Sequence, residues 1–122
     1  MSLRLYREFV ARAKHFLKAS EFDVSEERYD IALFHLEQAV QLAIKVYLLR
    51  ELGDFPRIRS LYDLIEVAGN ECLKGLAEEQ WYVIDILDDA YTGSRYFIRR
   101  YGEKEYKAAR QFVERVFQCT GI

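Results

Sequence analysis

The residues best suited to chemistry lie between Ala90 and Tyr101. Arg95, Arg99 and Arg100 share that stretch with the rings of Tyr91, Tyr96, Phe97 and Tyr101, broken only by Gly93. A guanidinium presents planar paired donors that match a phosphate. A phenol ring offers a face on which a nucleobase can stack. On a helix Arg95 and Arg99 fall on one face and Arg100 turns away. Tyr91, Tyr96, Arg99, Arg100 and Tyr101 therefore join Arg95 as the candidate ligand-binding set. The competing reading makes Tyr91, Tyr96 and Phe97 core residues and pairs the arginines with Asp88, Asp89 and Glu103.

Other clusters assemble less. Asp85, Asp88 and Asp89 share one helical face, a pattern that reads as a solvated acidic face before it reads as a site for a hard cation. His15 and His35 are the only histidines. No Ser-His-Asp set, Cys-His pair or glycine-rich phosphate loop can be built. No catalytic residue, metal ligand or cofactor site is assigned. Cys72 and Cys119 match no metal or redox spacing and read as buried free thiols, with a stabilising disulfide as the alternative.

Composition bounds the setting. The chain has 122 residues, 51% of them hydrophobic and 31% charged, with a net charge of −2. It is expected to form one domain, residues 1–122, with a single core. The N-terminus lacks a signal-like apolar run, and no apolar stretch approaches the roughly 20 residues that span a bilayer. A cytoplasmic protein with no membrane contact is expected. The slight acidity does not advertise a nucleic-acid binder, although a local basic patch would suffice.

The elements that must position the site are helical. Proline occurs once, at Pro56, and apolar residues recur at helical spacing throughout. The first helix is expected over 2–20, with Leu5, Phe9, Ala13, Phe16 and Leu17 inward. Its arginines and lysines then make a solvated basic face. The second is expected over 25–52, capped by Asp23 or Ser25 and ended by Gly53 in a left-handed cap. Ser60 caps a short third helix that weakens or ends at Gly69-Asn70, with a short helical segment continuing to Gly75. The fourth, over 77–91, buries Trp81, Ile84, Leu87 and Tyr91, and Gly93 interrupts it. The fifth, over 103–119, turns Tyr106, Ala109, Val113, Val116 and Phe117 inward. The fold class is all-α, an up-and-down four-helix-type bundle of about five helices.

Several segments together resemble one family. Tyr29-Asp30-Ile31-Ala32, then Glu37-Gln38-Ala39, then Ala43-Ile44-Lys45 is similar to its second helix. Arg59-Ser60-Leu61-Tyr62-Asp63-Leu64-Ile65 is similar to its short third helix. Tyr91 with Ser94-Arg95-Tyr96 resembles its Tyr-x-x-x-Arg-Tyr signature. The family is HEPN, the higher eukaryote and prokaryote nucleotide-binding domain. The resemblance implies an all-α bundle, a homodimer, and in many members a minimal nucleotidyltransferase as partner. It also implies that many relatives are metal-independent ribonucleases, several of them toxins in toxin-antitoxin pairs, using an Arg followed after four to six residues by a His.

Here that pattern is broken. Arg100, Tyr101 and Gly102 occupy the spacing after Arg95, and Arg59 stands where the family's third helix commonly has a histidine. An arginine cannot shuttle protons near neutral pH. The expectation is a non-catalytic domain that binds a nucleotide or RNA phosphate near Arg95, or docks a nucleotidyltransferase, as a homodimer. The alternatives are a ribonuclease with an altered general base, for which His35 or Tyr101 would serve, and a purely structural helical adaptor.

Overall fold

A computed structural model of the chain describes residues 3–93 and 101–122. It is all-α. Among the described residues there are six helices and no strand: α1 (Leu3–Ser25), α2 (Tyr29–Leu52), α3 (Leu61–Ala68), α4 (Glu71–Glu79), α5 (Trp81–Gly93) and α6 (Glu103–Thr120). The expected five become six because Gly69 ends α3 and the Asn70 side chain starts α4, accepting from the Leu73 N–H at 2.9 Å.

α2 is the axis. It is apolar around its circumference, and Ala32, Leu33, Leu36, Ala39, Val40, Ala43, Ile44 and Leu48 are fully buried. α1, α3, α5 and α6 all pack on it, and α4 rests on α6. The alanines let neighbouring helices approach closely. By length and composition alone α2 could cross a membrane, which amends the expectation that no stretch comes near that length. Most of it is instead buried inside the bundle. The opposite end of α1 is tied to α6 by Ser20 and Tyr106, whose hydroxyls lie 3.0 Å apart, and by an Arg110–Glu21 ion pair at 2.7 Å.

Caps account for most of the boundaries. Gly53 ends α2 with φ 80° and Ser60 accepts the Asp63 N–H, as the sequence indicates. The α1–α2 turn differs. α1 continues to Ser25, so neither Asp23 nor Ser25 caps α2, whose N-cap Arg28 makes no side-chain cap bond. The Arg28 N–H bonds the Asp23 carbonyl at 2.8 Å and the Glu27 N–H bonds that of Val24 at 2.9 Å. This is the paired Schellman pattern, and it places Glu27 in the left-handed region at φ 58°.

Two further expectations are corrected. Trp81 and Leu5 are exposed, at 57% and 42%, because each sits in the first turn of its helix, where the apolar stripe overhangs the bundle. α5 is described as far as Gly93, which is buried, and the break expected after it falls outside the described residues. Cys72 and Cys119 are not free thiols. They form a disulfide joining α4 to α6, with their Cα atoms 5.5 Å apart. The Asn70 amide lies alongside, donating to the Cys119 carbonyl at 3.1 Å.

Candidate functional site

A cleft of about 770 Å³ opens between α1, α2, the α2–α3 linker and α5. Helix spacing brings its walls together. Glu8, Arg12 and His15 lie on one face of α1, and Gln38, Gln41 and Lys45 on one face of α2. Arg59 enters from the linker and Tyr91 from α5. Phe16 and Leu42 supply apolar wall.

Arg12, His15, Lys45 and Arg59 concentrate basic groups in this one hollow of a slightly acidic chain. Arg12 pairs with Glu8 at 3.1 Å, but both side chains are more than half exposed, so that pair is weak and exchangeable. Lys45 has its affinity for a proton lowered by burial, with Glu37 opposing the shift. Its ammonium lies 5.7 Å from the centre of the Phe55 ring. The Arg59 guanidinium lies 5.2 Å from the centre of the Tyr91 ring, and the Phe34 ring stacks with Tyr91 at 6.0 Å.

Behind the cleft wall is a buried polar group in the apolar axis helix. Glu37 is 1% exposed and Gln41 is 6% exposed. The Gln41 amide donates to Glu37 Oε2 at 2.9 Å and to the Arg59 carbonyl, and the Gln38 amide donates to Glu37 Oε1 at 2.8 Å. Burial is the main force that raises the Glu37 carboxyl to about 7, partly offset by the two amide donors. Glu37 therefore titrates near neutral pH while fixing the orientation of Gln41.

On the far side of Arg59 and Tyr91 a second hollow of about 410 Å³ is lined by Ser60, Asp88 and Thr92 as well. Burial, then the nearby Asp85 carboxylate, raises the Asp88 pKa. The acidic trio does not converge on one point. Asp85 accepts from Tyr62 at 3.0 Å, Asp88 from the Leu61 backbone and Asp89 from Tyr101 at 2.5 Å.

Of the predicted ligand set, Tyr91 lines both hollows, and Tyr101 packs against the core with its hydroxyl donating to Asp89. Arg95, Tyr96, Arg99 and Arg100 lie outside the described residues. The sequence does not single out Arg12, His15, Gln41 and Lys45 as cleft residues, and it places Arg12 on a solvated face. The available signal was Gln38, Gln41 and Lys45 at helical spacing on a mostly apolar helix. His35 does not line the cleft. Its Nδ1 lies 2.5 Å from Asp23 Oδ2, between the rings of Phe16 and Phe34.

No curated protein matches the chain. A family model, that of the HEPN domain, matches residues 6–122. That span takes in every helix from the first turn of α1 onward, together with the cleft and the Arg95 stretch. With almost the whole length matched, and with the all-α bundle that the resemblance implies, the chain belongs to the HEPN domain family.

Proposed function

We propose that this HEPN domain is non-catalytic and binds a nucleotide or RNA phosphate. The cleft of Arg12, His15, Lys45 and Arg59, with the Arg95 stretch that follows α5, is its anion-binding region. One observation carries the reading: four basic side chains line a single hollow in a chain of net charge −2. Tyr91 lines that hollow and stands four residues before Arg95 in the chain. Tyr96, Arg99, Arg100 and Tyr101 complete the proposed set.

The test is a fluorescence titration with a labelled nucleotide and a short RNA. A charge-assisted guanidinium contact is worth about 1.5–3 kcal/mol, so Arg59→Ala and Arg95→Ala should each weaken binding roughly ten- to hundredfold. Equal affinity in wild type and both variants would refute the reading.

A ribonuclease with an altered general base is the second reading. His15 favours it, because it puts an imidazole among the cleft arginines. Cleavage of mixed RNA that is lost in His15→Ala would establish it, and no cleavage would leave the binding role. We also propose a homodimer with the end of α5 near its interface, and a minimal nucleotidyltransferase as docking partner. Both follow from the family. Light scattering that reports a monomer at micromolar concentration would remove the dimer.

A further inference from the structure

The Gln41 side chain is held in one orientation by its surroundings. Its two amide hydrogens go to Glu37 Oε2 and to the Arg59 carbonyl, both of them acceptors. The amide cannot be flipped without facing its oxygen toward two other oxygens. Oε1 is therefore committed to the remaining direction. It is buried and has no hydrogen-bond partner among the described residues. A buried acceptor without a donor is costly, and native proteins rarely leave one.

That acceptor belongs to a residue lining the 770 Å³ cleft, whose other polar side chains include Arg12, His15, Lys45 and Arg59. The lining residues thus ask for two kinds of chemistry. The basic side chains take an anion. The Gln41 oxygen, backed by the Glu37 carboxyl, repels one and takes an N–H or O–H. The volume falls within the range of about 300–1,000 Å³ that encloses small ligands, and Phe16 and Leu42 supply apolar wall for a flat ring.

We propose that the cleft is a mononucleotide pocket in which Gln41 Oε1 accepts an N–H from the edge of the base while the basic side chains hold the phosphate. The assignment rests on the cleft being the phosphate site and adds what it reads. Gln41 becomes the residue that distinguishes a nucleobase from a bare sugar phosphate.

The experiment titrates the full chain with AMP and GMP, with purine riboside 5′-monophosphate and with ribose 5-phosphate. The purine riboside keeps the ring, ribose and phosphate but has no N–H donor on its base. The better of AMP and GMP should bind at least tenfold more tightly than purine riboside 5′-monophosphate, because losing the donor leaves the buried acceptor unpaired. Ribose 5-phosphate should be weaker than AMP or GMP by a similar factor or more. In Gln41→Met, shown folded by circular dichroism, the advantage of AMP and GMP over the purine riboside should disappear. Affinities for AMP, GMP and the purine riboside within twofold, all lost in Arg59→Ala, would overturn base reading and leave phosphate binding standing. Ribose 5-phosphate binding as well as AMP would overturn it likewise. No binding of any probe would overturn both.

Discussion

The guanidinium of Arg59 covers the ring of Tyr91 at 5.2 Å, bridging the α2–α3 linker and α5 at the point where the two hollows meet. A cation over an exposed ring contributes about 0.5–1 kcal/mol, enough to orient a side chain but not to hold a fold. Its larger role is to set the shape of the anion site.

Arg59→Lys tests that division. It keeps the charge but loses the planar fork and most of the ring contact. Ligand affinity should fall several-fold, less than in Arg59→Ala, while a urea melt shifts by less than about 1 kcal/mol. The Gln41 bond to the Arg59 backbone carbonyl is untouched by either variant. A collapse of stability in Arg59→Lys would show that the side chain is structural.

Glu37 predicts a pH dependence of stability. Its carboxyl is raised to about 7, above its unfolded value, chiefly by burial. The folded state therefore binds the proton more tightly. The stabilisation is full below the unfolded pKa, near 4.5, and is lost as pH rises through about 7. The linkage is on the order of 3 kcal/mol between pH 4 and 8. Urea midpoints measured across that range should fall more in wild type than in Glu37→Gln, whose side chain does not titrate and keeps one of the two acceptor oxygens. Parallel curves would mean that Glu37 is not the titrating group.

Glu27 holds the left-handed cap position of α1 at φ 58°, where a side chain is strained. Glu27→Gly should stabilise the protein by about 1 kcal/mol, since the turn already has both Schellman hydrogen bonds. A thermal melt checks it, and a lower midpoint would show that the Glu27 side chain does something else.

The Cys72–Cys119 bridge closes a loop with a sequence separation of 47. Loop-closure entropy for that length gives about 4 kcal/mol, in the upper part of the usual 2–4 kcal/mol range. Reduction, or the double change Cys72→Ser with Cys119→Ser, should lower the unfolding free energy by about 2–4 kcal/mol. Far-ultraviolet circular dichroism should stay helical in both forms. Identical melts with and without reductant would refute the stabilising role.

Where a local signal exists, the sequence was legible. Gly53 and Ser60 mark their caps because side-chain chemistry within one turn decides them. The inward stripe of α6 follows from period alone, and Tyr106, Ala109, Val113, Val116 and Phe117 are all buried. Legibility failed where distance or context decides. Glu27 ends α1 without the glycine that would announce it, so the helix looked shorter than it is. Trp81 has the right period for the core but sits where the bundle stops covering α5. The disulfide depends on α4 meeting the end of α6, which no cysteine spacing encodes. Arg12 looked like one more solvated cation of α1. It becomes a cleft residue only because Gln41, Lys45 and Arg59 arrive from elsewhere.

The bridge has a topological consequence. Residues 72–119 form a covalent ring holding most of α4, all of α5 and nearly all of α6, with the Arg95 stretch inside it, while α1, α2 and α3 hang from it as a tail. A protease that cuts the backbone once between the two cysteines opens the ring without releasing either piece. The nicked chain should run as one band on a denaturing gel and split into two only when reductant is added. A cut in the α2–α3 linker, outside the ring, should release the tail under either condition. Cleavage at the arginines of the Arg95 stretch and cleavage beside Arg59 are therefore distinguishable on a single pair of gel lanes.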